Sequence, residues 1–262
     1  MFDSLFDLHL AVVGAAILIL LCAFALGGLA IFSRYILPRL KLGPEESVFT
    51  SAMMQAIMVF YGLAVALIAV SVWQTYTDAA ATTSREATAV GVLYRHMGGY
   101  PEPLRSELRQ ELREYLEYVI KEAWPQQRRG QVPSGGVEKL NDVEAKLVTF
   151  EPATEGQKLL HGETLRAYSQ LIEARRLRLD AVLTGLPGAL WLVIVIGALV
   201  SLSSTFFFQV GDALLQRIQV VLLAIFVGMI IFIIFALDRP FRGDLGLHPD
   251  SYQLIYDQLM KP

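Results

Sequence analysis

The chain has 262 residues, of which 54% are hydrophobic, and its mean hydropathy is +0.47. This apolar fraction exceeds that of an ordinary soluble domain and indicates a membrane protein. The formal net charge of −3 is too small to favour a nucleic-acid partner, and the single cysteine, Cys22, excludes a disulfide framework and a cysteine-based metal site.

Four segments of the chain carry no formal charge. Each is at least as long as the roughly 20 residues that a helix needs to cross a bilayer. The first two segments lie close together and so do the last two, which predicts two transmembrane hairpins, within residues 1–77 and 181–237. The four spans are predicted at about 10–32, 48–76, 187–208 and 218–237.

The second charge-free segment is longer than a bilayer requires, and residues 74–90, which span its end, contain no Gly or Pro. We therefore expect one continuous helix that leaves the membrane and enters the polar part of the chain. Polar and aromatic side chains on this helix would line an axial pathway if several copies assembled around it, whereas the simpler interpretation places them in helix packing. The candidate pore-lining residues are Gln55, Phe60, Tyr61, Gln74 and Thr77.

Residues 78–180 hold most of the charged residues and are predicted to form a helical domain in water. Apolar side chains recur every three or four residues over 104–119, which predicts an amphipathic helix that ends at Trp124-Pro125. A linker rich in Gly and Pro follows, and then a short helix is predicted over 137–150.

A long helix is predicted from Thr154 to about Asp180. Thr154 and Gln157 form a capping-box pattern at its start. Since no alternating pattern demands a strand, the fold class is predicted to be an all-α membrane protein with four transmembrane helices and a helical domain between the second and third.

Charged residues cluster where the third span begins and the fourth ends, beside a tail over 238–262 that is predicted to contain a short helix. Asp238 and Asp244 could serve as Ca²⁺ ligands, but the arginines between them favour ion pairs. Lys and Arg are more numerous on the side of the polar domain, which favours a cytosolic N-terminus, polar domain and tail. The candidate headgroup or ion-pair residues are Arg175, Arg176, Arg178, Asp238, Arg239 and Arg242.

The sequence contains no pattern typical of an enzyme or of a metal or cofactor site. None of the four histidines, at positions 9, 96, 161 and 248, lies at metal-ligating spacing from a Cys, His or acidic residue. The sequence motifs of zinc proteases, serine hydrolases and P-loop proteins are not found. We therefore expect no enzyme, no metal and no cofactor.

Several motifs occur in an order that is similar to one family of membrane proteins. Glu86-Ala87 follows the second span, an arginine-rich stretch over 175–178 precedes Leu186-Pro187 and Trp191, and an Asp-x-Pro-x-x-Gly pattern begins at Asp238. This arrangement resembles the bacterial and plant family described as bestrophin-like, over nearly the whole chain.

The resemblance implies a homo-oligomeric anion channel with four spans, a helical cytosolic part and both termini inside. The location implied is the inner membrane of a bacterium. The partners implied are lipid, the permeating ions and further copies of the chain in a ring, for which a pentamer is the expected form. The Pro- and Phe-rich neck of bestrophins has no counterpart here, and residues 238–250 match their Ca²⁺ clasp poorly. A non-conducting scaffold or sensor, whose helical domain binds a cytosolic partner or lipid, is the alternative.

Overall fold

The computed structural model describes residues 9–39, 44–207 and 212–261. Every regular element in these ranges is a helix, and no strand occurs in them. The predicted all-α fold class is therefore confirmed for the described residues. Phe208, where the third span is predicted to end, lies outside them.

The chain divides into two compact units, each made of two segments. The apolar unit consists of Met1–Gln74 and Gly185–Asp238. The polar unit consists of Thr75–Thr184 and Arg239–Pro262.

Among the described residues, four helices are long and apolar enough to cross a membrane, as the sequence predicts. They are α1 (Leu10–Ile31), α2 (Pro44–Met97), α7 (Gly188–Ser204) and α8 (Ala213–Leu237). The structure extends α1 by a π turn and a short 3₁₀ turn, over Phe32–Ile36 and Leu37–Arg39. The 54 residues of α2 form one helix, which confirms the continuous helix predicted from the absence of Gly and Pro.

Close packing of α1 on α8 builds much of the apolar unit. It depends on small residues on both helices. A Cβ atom added at Gly14 would lie 2.9 Å from the ring of Phe232, and one added at Gly228 would lie 2.7 Å from Leu18. Because lipid is as apolar as these side chains, such close helix approach is what holds membrane helices together.

In the described part of the polar unit, five α-helices lie beside the later part of α2. They are α3 (Leu104–Tyr118), α4 (Trp124–Arg128), α5 (Gly136–Thr149), α6 (Glu155–Val182) and α9 (Asp250–Ile255). Amphipathic α3 packs on α5: Leu108, Leu112 and Leu116 are completely buried, as is Leu147 of α5. Leu165 and Tyr168 of α6 adjoin the same core.

The predicted capping box at the start of α6 is confirmed. The backbone N–H of Gln157 donates to Thr154 Oγ1 over 3.2 Å, and the Gln157 side chain accepts from the backbone N–H of Thr154. This arrangement satisfies N–H groups that have no partner within the helix.

The prediction that the first helix of the polar domain ends at Trp124-Pro125 is wrong. The chain stays helical to Arg128, through a π turn over Val119–Ala123 and then α4. Pro125 lies in the first turn of α4, where a missing N–H leaves no hydrogen bond unmade. The wider π turn separates the proline from the preceding α-helical ladder.

Candidate functional site

One face of α2 in the apolar unit is exposed along its length. Phe60, Leu63, Leu67 and Val70 have exposed fractions of 54–72%, and their spacing of three and four residues places them on the same face of the helix. Gln74 continues this spacing and is also exposed. We call this set the exposed face of α2.

The five candidate pore-lining residues do not all share that face. Phe60 and Gln74 belong to it, and Gln55 is exposed a little over one turn before Phe60. Tyr61 points elsewhere: its hydroxyl donates to the backbone carbonyl of Ile194 on α7, over 3.1 Å. Thr77 is half-buried and belongs to the polar unit.

In the polar unit, two opposite charges are buried against each other. Glu86 of α2 is completely buried and Arg178 of α6 is 1% exposed. Arg178 Nε donates to Glu86 Oε2 over 2.5 Å, and Nη2 donates to Oε1 over 3.1 Å. Arg178 is one of the candidate headgroup or ion-pair residues, and its burial keeps its guanidinium inside the polar unit.

Two tyrosines complete the surroundings of this pair. The Tyr115 hydroxyl of α3 donates to Glu86 Oε1 over 2.6 Å, and the ring of Tyr252 of α9 lies 5.8 Å from the Arg178 guanidinium carbon. The ring of Trp124 contacts Tyr252 edge-on, with 5.6 Å between ring centroids. We call Glu86, Tyr115, Arg178 and Tyr252 the buried charge cluster.

Burial and charge act together on the pKa values in this cluster. Burial, and after it the Glu86 carboxylate, raise the pKa of Tyr115 and Tyr252 well above the usual tyrosine value. Burial disfavours the charge on Arg178, but the Glu86 carboxylate outweighs it and raises the pKa of Arg178. The arginine therefore stays charged and both tyrosines stay neutral at physiological pH.

Asp238 lies at the C-terminal end of α8, and its side chain accepts hydrogen bonds from residues at the start of α7. One carboxylate oxygen accepts from the backbone N–H of Leu186 over 2.5 Å, and the other accepts from Trp191 Nε1 over 3.3 Å. Asp238 is only 6% exposed. A carboxylate at this place complements the partial positive charge at the N-terminus of α7.

The remaining candidate headgroup or ion-pair residues lie in the polar unit. Arg239 Nη1 donates to the backbone carbonyls of Leu183 and Thr184, over 2.9 and 3.3 Å, just beyond the C-terminus of α6. A cation there complements the negative end of that helix. Arg176 is exposed, Arg175 is half-buried, and Arg242 is 8% exposed.

A family model decides what kind of protein this is. The model of the Bestrophin-like domain matches residues 19–252, which is most of the chain. The chain belongs to the Bestrophin-like family. It is thus a helical membrane protein, as its composition indicates.

Solved structures share the fold of this bestrophin-like protein. A point mutant of a bacterial bestrophin homologue from Klebsiella pneumoniae superposes with a TM-score of 0.74 at 12% identity, over 95% of this chain and 99% of that chain. Another crystal structure of the homologue gives 0.71 at 12% identity, over 94% and 97%. A mutant crystal structure described as a membrane protein gives 0.72 at 11% identity, over 95% and 99%. A search of curated proteins finds no match.

Sequence reasoning did not find the partners of several residues in this bestrophin-like protein. Glu86 entered it as part of a family motif, without its partner Arg178, which lies 92 residues later. Nothing in the sequence around Tyr115 indicated that its hydroxyl donates to Glu86. A buried acid inside an otherwise small and apolar helix face, between Thr83 and Val90, is the pattern that could have indicated a buried partner.

No group of three or more His, Cys, Asp or Glu side chains in the described part of the chain is arranged to hold a metal ion. The two acids considered as Ca²⁺ ligands belong to different units: Asp238 closes the apolar unit and Asp244 follows in the polar unit.

Proposed function

We propose that this bestrophin-like protein is a homo-oligomeric, passive ion channel of the bacterial inner (cytoplasmic) membrane. Its four helices cross the membrane as two hairpins, with a soluble helical domain over residues 78–180 between the second and third spans. The N-terminus, this domain and the tail lie in the cytosol. Copies surround a common axis in a ring, and five copies is the first number to test.

The exposure of α2 is the observation that carries this proposal. Only 11% of the most apolar stretch of α2 is buried within the chain, against 17% for α1, 39% for α7 and 44% for α8. Gly62 and Ala66 lie on an exposed part of α2, where small residues permit close helix approach. A helix that packs so little within its own chain, and that carries exposed Gln55 and Gln74, is suited to contacts with other copies or with water.

The side chains on the exposed face of α2 are of the types that line ion pores. Phe60, Leu63, Leu67 and Val70 would form an apolar constriction, and Gln74 would follow it with a polar side chain. Hydrophobic constrictions gate pores by excluding water, and polar groups beside them receive the ion. In this arrangement Tyr61 serves the packing of α2 on α7 and does not face the ion.

The test has two parts, assembly and conduction. Native mass spectrometry of the detergent-solubilised protein should give one defined oligomer. Planar bilayers that contain it should carry current, and the reversal potential in a salt gradient should identify anions or cations as the permeating class. A protein that is monomeric in detergent and carries no current in planar bilayers would contradict the proposal.

A matched pair of variants tests the pathway. Phe60→Ala should change the unitary conductance or the open probability, because it widens the proposed constriction. Leu222→Ala removes a side chain of similar exposure (61%) on α8 and should leave both unchanged. Equal effects of the two substitutions would remove α2 from the pathway.

A second function, a scaffold or sensor, is favoured by one feature of the polar unit. A groove of about 430 Å³ runs between α2 and α6, with exposed Arg85, Thr88 and Val92 on one side and Glu173 and Leu177 on the other. Its mixed apolar and charged lining suits a protein partner or a lipid headgroup. Two results together would favour this function: the channel assay gives no current, and the protein binds a cytosolic protein. Substitution of Leu177 should then abolish that binding.

A further inference from the structure

The groove of about 430 Å³ between α2 and α6 has two opposite charges on its walls. Arg85 lies on the α2 wall and Glu173 on the α6 wall, and both side chains are exposed. The whole groove belongs to the polar unit. Its volume is within the range of roughly 300–1,000 Å³ that is typical of small-molecule sites, so a small molecule has space between the two charges.

The charges of Arg85 and Glu173 have no partner within the chain, as far as the structure describes it. Neither side chain makes a hydrogen bond or an ion pair with a described residue. A neighbouring exposed pair on α6 behaves differently, since Arg166 Nη1 lies 3.0 Å from Glu163 Oε1. A guanidinium offers donors to an anion, and a carboxylate accepts from an ammonium group. Both charges on the groove walls are therefore available to a ligand.

The two walls of the groove run in opposite directions. Glu86 of α2 pairs with Arg178 near the end of α6. The hydroxyl of Tyr100, three residues after α2 ends, lies 2.7 Å from His161 Nδ1 near the start of α6. Later positions of α2 are thus level with earlier positions of α6.

This direction staggers Arg85 and Glu173 along the groove. Arg85 is adjacent to Glu86 and so lies level with the part of α6 around Arg178, whereas Glu173 is five residues before Arg178. At 1.5 Å per residue the stagger is ~7.5 Å along the helix axis. A ligand that carries one negative and one positive group can bridge such a gap and give each wall a group of opposite charge.

Apolar side chains lie beside these charges on both walls. Val92 of α2 and Leu177 of α6 line the groove and are 37% and 48% exposed, and Ala89 and Ala174 line it as well. A short hydrocarbon group of a ligand would leave water on contact with them, which favours binding. The groove therefore combines an anion-binding group, an ammonium-binding group and an apolar surface.

We propose that the groove between α2 and α6 binds a small zwitterion, with its anionic group on the Arg85 guanidinium and its ammonium group on the Glu173 carboxylate. A free amino acid with an apolar side chain carries this chemistry, and so does the ethanolamine headgroup of a phospholipid. Binding of such a ligand requires neither conduction nor a protein partner, and therefore goes beyond both functions considered above.

Ligand-observed NMR titrations of the full-length protein in detergent micelles measure this binding. Leucine represents the free amino acid, and glycerophosphoethanolamine represents the headgroup without its acyl chains. Isoamylamine and 4-methylpentanoate match leucine but lack its carboxylate and its ammonium group, respectively. Ethanolamine and glycerol phosphate are the corresponding single-charge analogues of the headgroup.

The wild-type protein should bind one of the two zwitterions about tenfold more tightly than either of its single-charge analogues. One hydrogen bond to a charged group predicts a difference of this size. The zwitterion that binds more tightly identifies the source of the ligand, a free amino acid or a lipid headgroup.

An exchange of the two charges tests the assignment of the walls. Arg85→Gln and Glu173→Gln should each weaken binding of the zwitterion about tenfold. Arg85→Glu combined with Glu173→Arg should restore it nearly to the wild-type affinity, because the ligand can turn around between the exchanged charges. Arg95→Gln changes an exposed arginine of α2 that does not line the groove, and should leave the affinity unchanged.

Three results would overturn the proposal. One is a wild-type protein that binds neither zwitterion more tightly than its single-charge analogues, as would happen if another subunit covered the groove. Another is an affinity that Arg85→Gln and Glu173→Gln leave unchanged. The third is a charge-exchanged protein that binds the zwitterion no better than the single variants do.

Discussion

The carboxylate of Glu86 and the guanidinium of Arg178 form a two-pronged ion pair that no solvent reaches: Arg178 is 1% exposed and Glu86 is 0% exposed. The two residues are 92 positions apart and bring α2 against α6. Tyr115 adds α3 to the same carboxylate. One acidic side chain therefore holds three helices of the polar unit in a fixed register.

Removing one charge of the pair should destabilise the polar unit strongly. Glu86→Ala leaves the Arg178 charge buried without a counter-charge, at a cost of about 3–5 kcal/mol. Glu163→Ala breaks the exposed pair with Arg166 and should cost at most about 1 kcal/mol. The free energies of unfolding come from chemical denaturation in detergent, followed by circular dichroism.

A double variant separates the charge from the packing. Glu86→Leu combined with Arg178→Leu should be less destabilising than Glu86→Ala alone, since no unpaired charge remains. If Glu86→Ala lowers the free energy of unfolding no more than Glu163→Ala does, the ion pair does not stabilise the polar unit as argued.

The tyrosines of the buried charge cluster predict a loss of stability at alkaline pH. The folded-state pKa of Tyr115 is raised and the unfolded value is about 10, so its contribution is present below pH ~10 and is lost as pH rises further. Each such tyrosine lowers the free energy of unfolding by about 1.4 kcal/mol per pH unit there.

Tyr115→Phe tests this directly. It should cost about 1.5–3 kcal/mol near neutral pH, because a hydrogen bond to a carboxylate is lost, and its stability should fall less steeply above pH ~10. Tyr118→Phe, which removes a hydroxyl that makes no hydrogen bond with any residue that the structure describes, is the control. Parallel alkaline profiles for wild type and Tyr115→Phe would refute the assignment.

Removal of the Asp238 carboxylate should destabilise the protein more than removal of an ordinary helix cap. Asp238→Ala removes the acceptor of the Leu186 N–H and of Trp191 Nε1 at a nearly buried site, and should cost about 2–3 kcal/mol. Asp212→Ala removes the exposed cap of α8 and should cost about 1 kcal/mol. Thermal unfolding in detergent compares them, and a reversed order would mean that Asp238 does not fasten α7.

Two adjacent glycines of α1 should respond differently to the same added methyl group. A Cβ atom at Gly28 would lie 2.6 Å from the ring of Phe206, which also contacts Phe24 and Phe32, whereas one at Gly27 meets nothing within 4 Å. Gly28→Ala should therefore destabilise the protein by about 1–3 kcal/mol, and Gly27→Ala should be neutral or slightly stabilising. Thermal unfolding of the two variants in one detergent provides the measurement.

The local parts of the fold were predictable because their causes are local. The Thr154–Gln157 capping box depends on residues three apart, and α2 continues past Gln74 because residues 74–90 contain no Gly or Pro. The helical stretch beyond Pro125 was not predicted, since a π turn that accommodates a proline has no simple sequence pattern.

The contacts of the candidate sites were not predictable, for a different reason. Glu86 and Arg178 meet because two long helices cross at particular turns, and no spacing within either helix reveals that crossing. Asp238 similarly finds Leu186 through tertiary packing, 52 residues away. Tyr61 and Phe60 were both candidates as aromatic side chains of α2, but adjacent residues point about 100° apart on a helix and cannot share one face.

The tail bears on the order in which the protein can mature. Phe241, Tyr252 and Met260 are fully or almost fully buried in the core of the polar unit, yet the ribosome adds them after α8. During translation, the part of the polar unit that is made first therefore exposes an apolar surface to solvent until the tail has been synthesised. Nascent chains halted before residue 239 should then be readily cleaved by proteases and prone to bind chaperones.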